Sequence, residues 1–308
     1  HCRGRIELVE GDITASGLGV EGISRIQKET SAVFHLAAVY DLSVPREVAV
    51  QVNVLGTRNI LDFAEASPRL RRLHYVSTCY VSGRCVGAFS EEDLAKGQAF
   101  NNFYEETKYL AEVEFRSRMR GGLPATIYRP AIVVGDSRTG ATQKYDGPYF
   151  MIRWLLRQPL VAVLPVVGKP SATRVNLVPR DFVVEAMAYL SGLDASAGKV
   201  YHLADPDPLT VSELVDLIGH ATRRKIVRVP LPRSAAKFLI DRVPGVYWVM
   251  QIPSPAIDYF VHPTLYTCAS TLADLEGSGL KVPPLPTYID RLVDFVQCHP
   301  SIGSSPTA

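Results

Sequence analysis

Val33-Phe34-His35-Leu36-Ala37 is a short run in which apolar residues fill consecutive positions, broken by one histidine. A strand with one face in water alternates polar and apolar residues, whereas a strand covered on both faces does not. Five more short runs share this character, at residues 6–9, 73–77, 125–129, 174–178 and 200–204. Between them lie segments of helical period at 47–66, 104–120 and 181–190. A further helix opens with Thr210-Val211-Ser212-Glu213, a capping box that leads Leu214, Val215 and Ile218 onto one face. Strand–helix alternation of this kind predicts an α/β fold with a doubly wound parallel sheet. After Gly135 the prolines thicken and the alternation loosens. That break divides the chain into a sheet portion over 1–135 and a second portion over 136–308, of which about 174–222 partly returns to the sheet. No internal repeat is present.

The 308 residues are 47% hydrophobic, 21% charged and 9% aromatic, a globular composition with ample material for a core. Against 31 Asp and Glu stand 33 Lys and Arg, a net charge of +2 that gives no reason to expect a nucleic-acid partner. No apolar run reaches the roughly 18 residues a bilayer span requires. The longest candidate, 150–167, is interrupted by Arg153, Arg157, Pro159 and Pro165, and the opening His1-Cys2-Arg3-Gly4 carries no signal peptide. The five cysteines (Cys2, Cys79, Cys85, Cys268, Cys298) are scattered and form no CxxC, which fits a reducing cytoplasm and neither a disulfide framework nor zinc. His35 and His74 lie inside strand-like runs and read as core histidines, so no metal is expected.

Two glycine motifs are set aside on position. Gly17-Leu18-Gly19-Val20-Glu21-Gly22 matches G-x-G-x-x-G, but a phosphate-binding turn needs its first glycine at the end of a strand. Here the run ends at Val9, residues 10–16 intervene, and Asp41 lies too far past its own strand to serve as the ribose-binding acid. A glycine-rich loop entering a helix is the reading adopted. Gly135-Asp136-Ser137-Arg138-Thr139-Gly140 is one residue longer than a nucleophile elbow and has no marked histidine as its base.

A third constellation is coherent. Tyr104-Glu105-Glu106-Thr107-Lys108 sets a phenol and an ammonium four residues apart, on one helix face. Val76-Ser77-Thr78 ends a strand and puts a hydroxyl at the carboxyl edge, where open α/β sheets bind ligands. His35-Leu36-Ala37-Ala38 ends another strand in small residues, and Asn53-Val54-Leu55-Gly56-Thr57 lies on the helix that follows. Tyr128-Arg129-Pro130-Ala131-Ile132-Val133-Val134-Gly135 closes the next strand.

This ordered set resembles the extended short-chain dehydrogenase/reductase family, from about Ile6 to Pro300. Within it, Gly11-Asp12-Ile13-Thr14 with Leu18-Gly19, Tyr75-Val76-Ser77-Thr78-Cys79-Tyr80-Val81, Asn102-Phe103-Tyr104 and Tyr128-Arg129-Pro130 resemble the male-sterility or thioester-reductase branch, which includes fatty acyl-CoA reductases. The resemblance implies a Rossmann-like dinucleotide-binding portion over 1–135, mainly substrate binding over 136–308, and NADPH or NADH as cofactor. It implies Tyr104 as proton donor, Lys108 as the group that lowers the phenol's pKa and holds the nicotinamide ribose, Thr78 as hydrogen-bond donor to the substrate oxygen, and Asn53 as a link to water or a helix-shaping residue. Asp12 and Ile13 would face adenine, Leu36, Ala37 and Ala38 would pass beside the cofactor, and Tyr128, Pro130 and Ile132 would line its nicotinamide end.

The implied reaction is reduction of a carbonyl, an acyl thioester to its aldehyde. Oxidoreduction or epimerisation of a sterol-like or sugar alcohol, and a non-catalytic binding scaffold, are the alternatives. The family opens with a strand, a glycine-rich turn, a helix and a second strand before the segment that begins here at Ile6. The expectation is therefore an N-terminally truncated chain, lacking roughly 40–60 residues on the usual size of a βαβ unit plus its second helix. The apolar regions at 150–164, with Trp154, and 231–260, with Trp248, are expected in the core, with a membrane-surface contact as the alternative.

Overall fold

Four parallel strands, Ala32–His35, Arg72–Val76, Ala125–Pro130 and Val200–Leu203, lie side by side in that order and form the main sheet. The computed structural model describes residues 5–40, 44–244 and 253–303; Cys2, Asp41 and Trp248 lie outside them. In chain order the elements run α1 (Ile23–Glu29), β1 (Ala32–His35), α2 (Arg46–Ala49), α3 (Gly56–Glu65), β2 (Arg72–Val76), β3 (Gly87–Phe89) and α4 (Phe103–Arg120). Then follow β4 (Ala125–Pro130), β5 (Ile132–Val134), α5 (Pro148–Leu156), β6 (Val161–Val166), β7 (Leu177–Pro179), α6 (Arg180–Ser191) and β8 (Val200–Leu203). Last come α7 (Val211–Ala221), β9 (Lys225–Pro230), α8 (Arg233–Arg242), β10 (Thr264–Tyr266), α9 (Ala269–Leu275) and α10 (Ile289–Cys298). Three parallel two-stranded sheets, β3–β10, β5–β7 and β6–β9, stand beside the main one.

Both faces of β2, β4 and β8 are covered, as their consecutive apolar runs require, whereas β1, also expected to be covered on both faces, is an edge strand among the described residues and leaves Phe34 exposed. On one face, Leu73, Tyr75, Ala125, Ile127 and Val200 pack against Ile60, Leu61 and Ala64 of α3 and Ala111 and Phe115 of α4. On the other, Tyr128, Tyr201 and Leu203 meet Phe182, Val183, Ala186 and Leu190 of α6. The period of two is visible in the rings. Phe34, His74, Tyr128 and Tyr201 stack in a row across all four strands, at centroid separations of 4.4, 5.9 and 5.9 Å. One residue along, His35 and Tyr75 point to the opposite face, and Tyr75 stacks on Phe115 at 4.7 Å. A second core joins α5, α7 and α10 through Ile152, Leu155, Leu214, Ile218, Leu292 and Val296. Trp154 packs at its margin and donates its indole N–H to the Val163 carbonyl at 2.9 Å.

The run at 6–9 is not a strand: its backbone pairs with no strand among the described residues, and Ile6 and Leu8 are exposed. Apolar runs become strands only where a neighbour supplies hydrogen bonds, and among the described residues β1 pairs with β2 alone. The run at 174–178 shortens to β7, with Arg174 in an isolated bridge to Thr210. The helical run at 47–66 contains a π-helical segment, Val50–Leu55, between α2 and α3. The capping box forms as read, with Thr210 and Glu213 satisfying each other's backbone N–H groups. The first glycine motif is a 3-10 turn, Ser16–Gly19, followed by Gly22 at φ +69°, before α1 begins.

Four buried histidines set an acid limit on stability. Burial holds His35 and His202 down to about 3 and His74 and His262 to about 4; the cations Lys108, Arg129 and Arg72 add to this at His35, His202 and His74 respectively. The unfolded chain takes up these protons below about 6.5 while the folded chain refuses them, so stability is lost as pH falls through that value. The thermal midpoint should therefore fall steadily between pH 7 and pH 5; a constant midpoint over that range would contradict the neutral assignment.

Candidate active site

Helix α4 carries the phenol and the ammonium. Its N-cap, Asn102, accepts the Glu105 backbone N–H at 3.0 Å in its side chain, which fixes the first turn and with it Tyr104. Lys108, one turn on, is buried; its Nζ donates to the Val76 carbonyl at 2.8 Å and lies 4.4 Å over the Tyr75 ring. That bond clamps α4 onto the end of β2, where Thr78 begins the next turn by accepting the Tyr80 backbone N–H at 3.2 Å. Burial raises the Tyr104 phenol well above its ordinary value, against a hydrogen bond with the Thr78 hydroxyl. Burial lowers the Lys108 ammonium to about 7, opposed by the charge of Glu112. Thr78, Tyr104 and Lys108 are thus brought together from a strand end and one helix face.

Asn53 sits inside the π-helical segment and is buried. Its Oδ1 accepts from Val39 N at 2.9 Å, and its Nδ2 donates to Thr107 Oγ1 at 3.0 Å and Val39 O at 3.3 Å. It ties the chain leaving β1 to the α4 turn between Tyr104 and Lys108; no bond of its own reaches Lys108 among those described. Gly56, three residues on, lets Ile13 approach closely: a Cβ there would stand 2.7 Å from Ile13 Cδ1, and that side chain would have to shift.

The remaining predicted residues spread along the sheet edge. Asp12 is exposed, and its carboxylate, bonded to the backbone and hydroxyl of Thr14, lies below the usual range. Leu36 and Ala37 are exposed just past β1, with Ala38 half-buried. Pro130 ends β4 and accepts a long 3.5 Å bond from Thr78. Ile132 opens β5 and is half-buried. Tyr128 stands apart: it is wholly buried in the aromatic row and its hydroxyl meets His74 Nδ1 at 3.2 Å.

Two neighbours went unread in the sequence. Tyr40 packs edge-on against Tyr104 at 4.9 Å, beneath the Lys144 ammonium, which is 4.5 Å from its ring and 3.4 Å from Asp146. Tyr259 receives a 3.3 Å bond from the Asn102 side chain and stands 4.7 Å from the Tyr80 ring. Lone aromatic residues carry no spacing signal, and only the fold brings them here. Among the described residues no His, Cys, Asp and Glu cluster could hold a metal ion, and no helix is long and apolar enough to cross a membrane.

The sequence model of the NAD-binding male sterility protein family matches residues 1–187. The chain is 27% identical over 303 residues to the non-canonical nonribosomal peptide synthetase FrzA of Cladobotryum sp, covering 91% of this chain and 29% of that one. It is 26% identical over 226 residues to the aldehyde reductase lnbA of Aspergillus flavus, covering 70% of this chain and 22% of that one. The chain therefore spans less than a third of these curated relatives. The terminal R domain of the myxalamid PKS-NRPS biosynthetic pathway superposes with a TM-score of 0.81 at 26% identity, over 99% of this chain and 78% of that one.

Replacing Asn53 by Ala should strand the Val39 N–H, a cost of about 1–3 kcal/mol. A fall in the urea midpoint of matching size checks this; an unchanged midpoint would show that the bridge between β1 and α4 carries no stability.

Proposed function

The chain belongs to the male sterility protein family, an NAD-binding branch of the extended short-chain dehydrogenase/reductases, and from that premise we propose that it reduces an acyl thioester to its aldehyde with NADPH or NADH. The observation that carries this reading is the seating of α4 on the end of β2, where Thr78 stands: Tyr104 is in its first turn and Lys108, one turn on, is fixed on the Val76 carbonyl.

The site's residues fit a nicotinamide dinucleotide. An ammonium has three donors, and Lys108 gives one to Val76, leaving capacity for ribose hydroxyls. The exposed Leu36–Ala37 step and the half-buried Ala38 leave backbone open at the sheet edge. We assign Asp12 and Ile13 to the adenine end, Leu36, Ala37 and Ala38 to the middle, and Pro130 and Ile132 to the nicotinamide end. The dinucleotide then lies on the 1–135 portion, and the acyl group faces 136–308. When bound, the cofactor supplies the hydride that adds to the acyl carbon.

The chain's own residues handle the oxygen. The Thr78 hydroxyl donates to the carbonyl oxygen and orients the carbon for attack. Tyr104 gives its proton as negative charge develops there, forming a hemithioacetal; collapse of that adduct releases the thiol and leaves the aldehyde. A buried phenol surrenders a proton reluctantly, and the Lys108 charge beside it stabilises the phenolate. The net change adds one hydride and one proton and breaks the carbon–sulfur bond.

Tyr104→Phe keeps the ring and removes the proton. Turnover of an acyl-CoA or acyl-pantetheine thioester should fall by about 10²–10⁴-fold, with NADPH affinity by tryptophan quenching preserved. Full activity in this variant would remove Tyr104 from the chemistry. Turnover of a sterol or sugar alcohol in preference to thioesters would replace the substrate class while keeping the site.

A further inference from the structure

Behind the site lies an ion pair that the mechanism above does not use. Glu112, one turn after Lys108 on α4, and Arg129, on β4, are both wholly buried. Arg129 donates through Nη2 to Glu112 Oε1 at 2.6 Å and through Nε to both carboxylate oxygens at 3.1 and 3.2 Å. Arg116 adds a 3.0 Å bond to Oε1, and the Ser77 hydroxyl donates to Oε2 at 2.7 Å. Arg129 spends its other donors on His202 Nε2 at 3.0 Å and the Asp93 carbonyl at 2.8 Å. Burial works to raise the Glu112 carboxyl, yet Arg129, Arg116 and Ser77 together hold it at about 2, so it is an anion throughout the neutral range.

A buried ion pair is commonly no more stabilising than well-packed apolar residues of the same volume. Its contacts here point to a different use. Thr78 is flanked by Ser77, whose hydroxyl Glu112 accepts, and by Cys79, whose thiol donates to the Arg129 carbonyl at 3.0 Å. Ser77 N also donates to the Tyr128 carbonyl at 2.7 Å. The same pair therefore grips both neighbours of Thr78 from outside the site, while α4 carries Tyr104, Lys108 and Glu112 on successive turns.

Charge adds a second link. The titratable groups facing Lys108 are His35 from β1, Tyr75 from β2, and Tyr104 and Glu112 on its own helix. His35 is neutral, and burial keeps both phenols protonated. Glu112 is the anion among them.

We propose that Glu112 is a positioning residue of the reductase site: through Ser77 it sets the Thr78 hydroxyl against Tyr104, and from one helical turn away it presents a carboxylate to the Lys108 ammonium. This rests on the roles of Thr78, Tyr104 and Lys108 argued above. The two actions separate by substitution. Glu112→Gln removes the charge, whereas Ser77→Ala removes the link to Thr78 and leaves the charge in place.

The charge action is measured on the ligand-free chain by nitrogen-15 NMR of labelled lysine side chains, with Lys108 assigned by Lys108→Arg. Its titration midpoint should drop by about one unit or more in Glu112→Gln and stay put in Ser77→Ala. The positioning action is measured by thioester turnover: Ser77→Ala should lower kcat about tenfold or more with the KM for NADPH unchanged, and Ser77→Thr should restore it. A Lys108 midpoint unmoved by Glu112→Gln, or a parental kcat in Ser77→Ala, overturns the proposal. Should circular dichroism show Glu112→Gln unfolded, the Ser77 pair decides alone. A parent chain that turns over no thioester defeats the functional reading, while the Lys108 titration still decides the charge action.

Discussion

The bond from the Lys108 ammonium to the Val76 carbonyl joins the two elements from which the site is made. A strand end and a helix face are ordinarily held at their spacing by apolar contacts, which tolerate small slides. A charged donor on a single backbone carbonyl does not, because a buried ammonium that leaves its acceptor has no water to replace it. The clamp sits on the strand two residues before Thr78 and on the helix one turn after Tyr104, so it fixes the distance between the two groups that meet the substrate oxygen. Tyr75 supports it from below through a cation–π contact, and the Tyr75–Phe115 stack carries that support into the core between β2 and α4.

The fold supplies the frame for this clamp by covering both faces of β2, β4 and β8. The row Phe34-His74-Tyr128-Tyr201 registers four strands on one face, and the alternate residues His35 and Tyr75 face the helix that bears Lys108. A one-residue slip in β2 would exchange His74 with Tyr75 and carry the Val76 carbonyl away from the ammonium. Sheet register and site geometry are therefore one constraint. The histidines in the sheet remain neutral because it is dry, and the same dryness brings the Lys108 ammonium to about 7.

Much of this was legible in the sequence wherever the signal is local. Consecutive apolar residues at 73–77 disclosed a strand covered on both sides, whereas the same signal at 33–37 marked an edge strand that leaves Phe34 and Leu36 exposed; the Thr210–Glu213 box disclosed a helix start, and Tyr104 with Lys108 disclosed a shared helix face. What stayed hidden depends on distant partners. The run at 6–9 has strand composition, but pairing is a property of a neighbour and none is present among the described residues. Tyr128 reads as a strand-end residue near a ligand, yet the period of two turns its ring into the aromatic row. Glu112 continues the four-residue spacing of Tyr104 and Lys108, so a signal existed; its meaning required knowing that Arg129 arrives from β4 with 0% of its surface exposed. Tyr40 and Tyr259 reach the site from segments far apart in the chain, and no pattern marks them.

The claim at the centre of this account is that the Thr78–Tyr104–Lys108 arrangement serves hydride transfer to a thioester carbonyl. The direct measurement is a single turnover with cofactor deuterated at the transferring position of its nicotinamide C4, followed by mass spectrometry of the product. The account predicts an aldehyde that carries the deuterium at its carbonyl carbon, with free thiol released in equal amount. Saturable cofactor binding with no deuterium in any product, under conditions where the thioester is also bound, would contradict it.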